Sequence, residues 1–121
     1  MKRIIADYVE DILIAISNAI KFIENITIDE FKKDDKTIYA VEKALEIIGE
    51  ASKKIPNEIK KRYPELPWRK LSKIRNKFTH EYFGLDLDIV WKIINDELPS
   101  IKPSFAQLLN ELDQEKSNDH S

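Results

Sequence analysis

Arg3-Ile4-Ile5-Ala6-Asp7-Tyr8-Val9-Glu10-Asp11-Ile12-Leu13-Ile14-Ala15-Ile16-Ser17-Asn18-Ala19-Ile20-Lys21-Phe22-Ile23-Glu24-Asn25 is the stretch on which the fold class turns. Within it Ile5, Tyr8, Ile12, Ala15, Ile16, Ala19, Ile20 and Ile23 recur at three- and four-residue spacing, the period of a helix that buries one stripe. No glycine or proline interrupts the pattern, so one long amphipathic helix is predicted over residues 3–25. Downstream, Thr27 is placed to cap a short helix through Phe31, with Asp29 and Glu30 in its first turn, where the helix dipole favours anions. Lys32 to Asp35 reads as a polar connection.

A second long helix is predicted from near Asp35 to about Lys54, with Ile38, Val41, Leu45, Ile48 and Ser52 as its inner stripe. Gly49 inside it costs roughly 1 kcal/mol against alanine, which the close approach of a neighbouring helix would explain. Pro56 suits the first turn of a short helix, Asn57 to Tyr63, that Pro64 stops. Leu66-Pro67-Trp68 then opens a third major helix, predicted to end near Gly84. Asp86 or Asp88 can cap the next, with a stripe of Ile89, Val90, Ile93, Ile94 and Leu98, and Pro99 punctuates it. A final helix is expected over residues 100–112, leaving a disordered polar tail over 113–121 beyond a single domain of 1–112. Strand alternation never persists, so the fold class is an all-α bundle.

Composition agrees with that class. The 121 residues are 42% hydrophobic and 35% charged, which describes a soluble globular domain, and two glycines with five prolines leave few turns. Absence of cysteine excludes disulfides and thiolate metal sites and is compatible with a reducing cytoplasm, the expected location. No apolar run reaches the roughly 18 residues that span a bilayer, so no membrane is expected. The N-terminal segment does not read as a signal peptide, because Asp7 interrupts its apolar stretch at once.

Charge is uneven. Ten basic residues from Lys53 to Lys77 face only Glu58 and Glu65, a net +8, so with −2 overall the other residues carry −10. Charge runs are ordinarily solvated helical faces; the alternative is a polyanion footprint in which Lys70, Lys73 and Lys77 attract RNA phosphates without reading sequence. Inside this segment begins Arg75-Asn76-Lys77-Phe78-Thr79-His80-Glu81-Tyr82. Sixteen of the twenty basic residues are lysines, and the one other histidine, His120, is penultimate, so Arg75 and His80 together stand out. A guanidinium binds phosphate bidentately, and histidine exchanges a proton near neutral pH. RNA carries its own nucleophile, the 2′-hydroxyl, so a base and an anion clamp are a sufficient minimum for cleaving it.

No second histidine has ligand spacing for zinc, no glycine-rich phosphate loop is present, and neither metal nor cofactor is expected. At ~100° per residue, Arg75 and His80 fall roughly 140° apart on one helix. Either the arginine curls round, or the helix end is distorted, or a second subunit completes the site, as in a symmetric dimer. By their spacing Trp68 and Trp91 read as core anchors rather than base-stacking platforms.

The Arg75-x4-His80-x-Tyr82 pattern resembles the motif of the HepT-like toxins, a branch of the HEPN superfamily. Leu45 to Ala51, Leu66-Pro67-Trp68, and Phe83-Gly84-Leu85-Asp86 followed by Val90-Trp91 are similar to the same family, so the likeness covers nearly everything but the tail. The resemblance implies an up-and-down bundle of four to five helices, homodimeric, with paired motif helices lining a basic cleft. It implies a metal-independent endoribonuclease toxin of a type II toxin–antitoxin pair, with Arg75 and His80 catalytic and Asn76 supporting. It implies a minimal nucleotidyltransferase antitoxin, of the MntA kind, that transfers AMP from ATP to Tyr82, with a higher oligomer open in the complex. The competing reading is a non-catalytic helical subunit that partners such a nucleotidyltransferase.

Overall fold

Ile5–Phe22 forms α1, whose buried face of Val9, Ile12, Ala15, Ile16 and Ala19 follows the predicted stripe. These elements come from a computed structural model that describes the backbone of residues 4–74 and 86–119 and the side chains of 4–74 and 87–115. After α1 the chain turns at Asn25, which takes a left-handed φ of 66°, a conformation asparagine tolerates. Thr27 then caps α2 (Ile28–Lys33): its hydroxyl accepts the Glu30 N–H at 3.1 Å, and the Glu30 carboxylate accepts the Thr27 N–H at 2.8 Å. This reciprocal box carries the helix past Phe31, which is fully buried, so Lys32 and Lys33 are helical rather than connecting.

Asp34 starts α3 (Asp35–Lys53), accepting the Thr37 N–H at 3.2 Å and the Thr37 hydroxyl at 2.6 Å. Those hydrogen bonds, the hydroxyl's first, hold the Asp34 carboxyl below the usual carboxylate range. Ile38, Val41, Leu45, Ile48 and Ser52 are all fully buried, the predicted stripe. Helices α1 and α3 run antiparallel, since Tyr8 shares a groove with Lys54 and Phe22 shares one with Ala40.

Two short helices follow, α4 (Asn57–Arg62) and α5 (Trp68–Ser72), and α5 packs on α3. The expected continuous helix from Trp68 to Gly84 is corrected at its start. Helix α5 stops at Ser72, because Lys73 adopts φ −110° and ψ 5°, outside helical geometry. The rest of that expected helix lies outside the described residues.

The C-terminal half differs from expectation in three places. Pro99 does not end a helix: α6 (Asp86–Lys92), a π-turn (Ile93–Glu97) and α7 (Leu98–Asp119) form one uninterrupted helical run. A proline lacks the N–H that would bond four residues back and its ring crowds that carbonyl; the wider π-turn immediately before Pro99 relieves both. Ile89, placed in the inner stripe, is 43% exposed, and Leu87 takes its position with Val90 and Ile94. Finally, α7 continues past Leu112 to Asp119, so the segment expected to be structureless is helical up to that residue. Within the extension Glu115 pairs with Arg62 of α4.

Helix α7 packs along α1, and one continuous cluster from Val9 to Leu112 joins α1, α3, α5, α6 and α7. The architecture is an all-α bundle of the HEPN type, and among the described residues there is no strand. No described helix is long and apolar enough to cross a membrane.

Candidate active site

Trp68 anchors the approach to the motif. Its ring meets Phe105 edge-on, with centroids 5.4 Å apart, and its indole N–H donates to the Tyr63 carbonyl at 3.0 Å, closing the loop between α4 and α5. Lys60 lies over the same ring at 5.8 Å. Trp91, half-buried, packs against Phe31 at 5.5 Å, so both tryptophans serve the core, as their spacing suggests.

Leu71 and Ile74 are 2% and 1% exposed, and both rest against α3 at Gly49. A Cβ at Gly49 would stand 3.4 Å from the Leu71 carbonyl oxygen and 3.6 Å from Ile74 Cγ2. That is van der Waals contact for one methyl and leaves no room for more, the close approach that the glycine's cost implies. Ile74, the residue before Arg75 in the sequence, is thus fixed in the core, as is Leu87 beyond the motif.

The site residues expected from sequence divide accordingly. Arg75, Asn76, Lys77, His80 and Tyr82 lie outside the described residues. Lys70 and Lys73 are described and exposed, Lys70 on α5 and Lys73 at its C-terminal end. Lys70 forms an ion pair with Glu97 of the π-turn.

The acidic partners of Arg62 and Lys70 come from far along the chain and carry no short-range sequence signal. Arg62 pairs with Glu115 at 2.6 Å, which raises the arginine's pKa further, and Tyr63 donates to Glu111. Burial first, and then that hydrogen bond, push the Tyr63 phenol up to about 12. Its folded pKa exceeds the unfolded value of about 10. The stabilisation is therefore complete below the unfolded value and lost as pH rises toward the folded one. Tyr63→Phe is expected to remove that alkaline fall and to cost about 1.5–3 kcal/mol at neutral pH, the scale of a hydrogen bond to a charged group, in urea melts.

Two cavities bear on function. One of about 200 Å³ lies between α5 and the π-turn, lined by Pro67, Lys70, Ile93 and Glu97 among others, and by Ile74, which precedes Arg75 in the sequence. A groove of about 360 Å³ lies between α1 and α3, lined by Ile14, Phe22, Ala40, Lys43 and Ile47 among others. By helical rotation Ala40, Lys43 and Ile47 project from the side of α3 away from Gly49, so this groove lies on the face of α3 opposite to α5. Among the described residues, no group of three or more His, Cys, Asp or Glu side chains is arranged to hold a metal ion.

Comparison with known proteins places this architecture. Residues 12–108 match the family model described as ribonuclease HepT-like. A Thermococcus cleftensis protein named probable ribonuclease HepT is 47% identical over 108 residues, covering 89% of this chain and 98% of its own. A Methanocaldococcus jannaschii protein with the provisional name RNase is 38% identical over 117 residues, 97% of each chain. A second protein of that organism, whose name joins gamma-glutamylcyclotransferase to a provisional RNase, is 30% identical over all of this chain and 54% of its own length. No solved structure matches. The match runs from within α1 to within α7 and takes in both flanks of the Arg75-x4-His80-x-Tyr82 motif, and the chain belongs to the HepT-like ribonuclease family.

Proposed function

We propose that this protein is a metal-independent endoribonuclease acting as the toxin of a toxin–antitoxin pair in the cytoplasm. The observation that carries the reading is the family match over residues 12–108, which encloses an intact Arg75-x4-His80-x-Tyr82 motif. His80 takes the proton from the RNA 2′-hydroxyl, whose oxygen attacks the adjacent phosphorus; the 5′-oxygen of the next nucleotide leaves and is protonated. Arg75 neutralises the phosphate as charge accumulates on it, and Asn76 supports that arrangement by hydrogen bonding. Lys73 and Lys77 attract the flanking phosphates. Two copies related by a two-fold axis present paired motifs to one cleft, and further copies can join in the complex with the partner.

A minimal nucleotidyltransferase serves as antitoxin. The Tyr82 hydroxyl oxygen attacks the α-phosphorus of ATP, pyrophosphate leaves, and the tyrosine retains AMP. The added phosphate competes with RNA for Arg75 and obstructs the cleft.

The test is incubation of the purified protein with single-stranded RNA in excess EDTA. Cleavage is expected, and a DNA strand of the same sequence, which lacks every 2′-hydroxyl, should survive. Intact RNA under all conditions, with or without added divalent ions, would favour the non-catalytic subunit instead.

A further inference from the structure

Eight basic residues between Lys53 and Lys73 are described, and they are not equivalent. Arg62 and Lys70 are held by Glu115 and Glu97, Lys53 lies 3.6 Å from Glu50, and Lys60 covers Trp68. Among the described residues Lys54, Lys61, Arg69 and Lys73 have no such partner. Lys54 follows α3 and lines a cavity with Tyr8 of α1, and Lys61 belongs to α4. Arg69 and Lys73 alone belong to the α5 segment that leads into Arg75, and both are exposed.

We infer that the RNA backbone runs over Arg69 and Lys73, and that Glu97 withdraws Lys70 from this track and so marks its edge. This rests on the ribonuclease reading above. Arg69 lies on α5 and Lys73 is the residue at which that helix ends, so one short stretch carries both cations. The guanidinium grips a phosphate with two parallel hydrogen bonds, and the ammonium adds a point charge beside it. Lys70 differs because its charge is already matched. Were it to swing toward a phosphate, the Glu97 carboxylate would remain close to that anion and repel it. The Lys70–Glu97 side chains keep 47% and 37% of their surface in solvent, so the pair adds little to stability and its effect belongs to binding.

The salt dependence of binding reads this directly. Each cation contacting a single-stranded phosphate adds about 0.7 to the slope of log affinity against log salt, or about 2.5-fold in affinity over a fourfold salt change. The probe is a fluorescent single-stranded RNA with 2′-O-methyl groups, which lacks the nucleophile and survives the assay. Arg69→Gln and Lys73→Gln should each lower the slope by about 0.7. The double variant K70Q/E97Q should leave it unchanged, while Glu97→Gln alone, by freeing Lys70, should raise it by about 0.7. A double variant that loses as much slope as Arg69→Gln, or a Glu97→Gln variant with the original slope, overturns the assignment of Lys70 and Glu97. A protein that cleaves RNA but ignores Arg69→Gln and Lys73→Gln overturns the track alone. One that neither cleaves RNA nor binds the probe in a salt-dependent way overturns the ribonuclease reading with it.

Discussion

Protein carrying His80→Ala is expected to lose RNA cleavage by about 10²–10⁴-fold, the contribution of a positioned general base. Arg75→Ala is expected to lose about 10²–10³-fold, the scale for removing one group that stabilises developing charge. Both variants should retain helical circular dichroism and cooperative melting, because the described buried cluster from Val9 to Leu112 already joins five packed helices. The double variant should be hardly worse than the single ones, since residues that act on one transition state as a unit are not additive. Loss of growth inhibition on expression of each single variant is the cellular counterpart. Cleavage undiminished in both variants would remove Arg75 and His80 from the chemistry.

Trp68→Ala should have the largest effect on stability. Truncating a buried tryptophan costs about 3–5 kcal/mol, a large part of the 5–15 kcal/mol that holds a typical domain together. Here three features add up at one ring: burial to 9% exposure, the edge-on contact with Phe105, and the hydrogen bond to the Tyr63 carbonyl. Alanine leaves that carbonyl without its partner and frees α5 from the face of α7. The consequence reaches the site, because α5 and Ile74 deliver the chain to Arg75. Urea unfolding should show the lowered midpoint, and at a temperature where the variant remains folded its cleavage rate should fall although Arg75 and His80 are unchanged. A variant that unfolds at the original midpoint would show that α5 is anchored by other contacts.

Much of the fold is legible in the sequence because α1 and α3 are long, regular and free of interruption until Gly49, whose packing role is itself readable from its cost. The caps at Thr27 and Asp34 are local devices that depend on residues three apart, so they too are visible in the chain. What escapes is non-local or irregular. A π-turn that lets a helix pass through Pro99 has no sequence period of its own, and the apolar spacing that points Ile89 inward is satisfied better by Leu87. The polar residues after Leu112 look unstructured alone, yet Glu115 finds Arg62 across 53 positions. The motif is legible as residue types that can move a proton and bind a phosphate. Which lysines near it remain available is not, because Glu97 lies 27 positions from Lys70 and only the folded chain brings them together.

Mass spectrometry of the RNA ends left by the purified protein in EDTA tests the proposed chemistry most directly. Attack by the 2′-hydroxyl must leave a 2′,3′-cyclic phosphate on one fragment and a 5′-hydroxyl on the other, and His80→Ala should yield neither. Fragments ending in 3′-hydroxyl and 5′-phosphate would require water as the nucleophile. That result, or cyclic phosphate formed equally by His80→Ala, would contradict the mechanism.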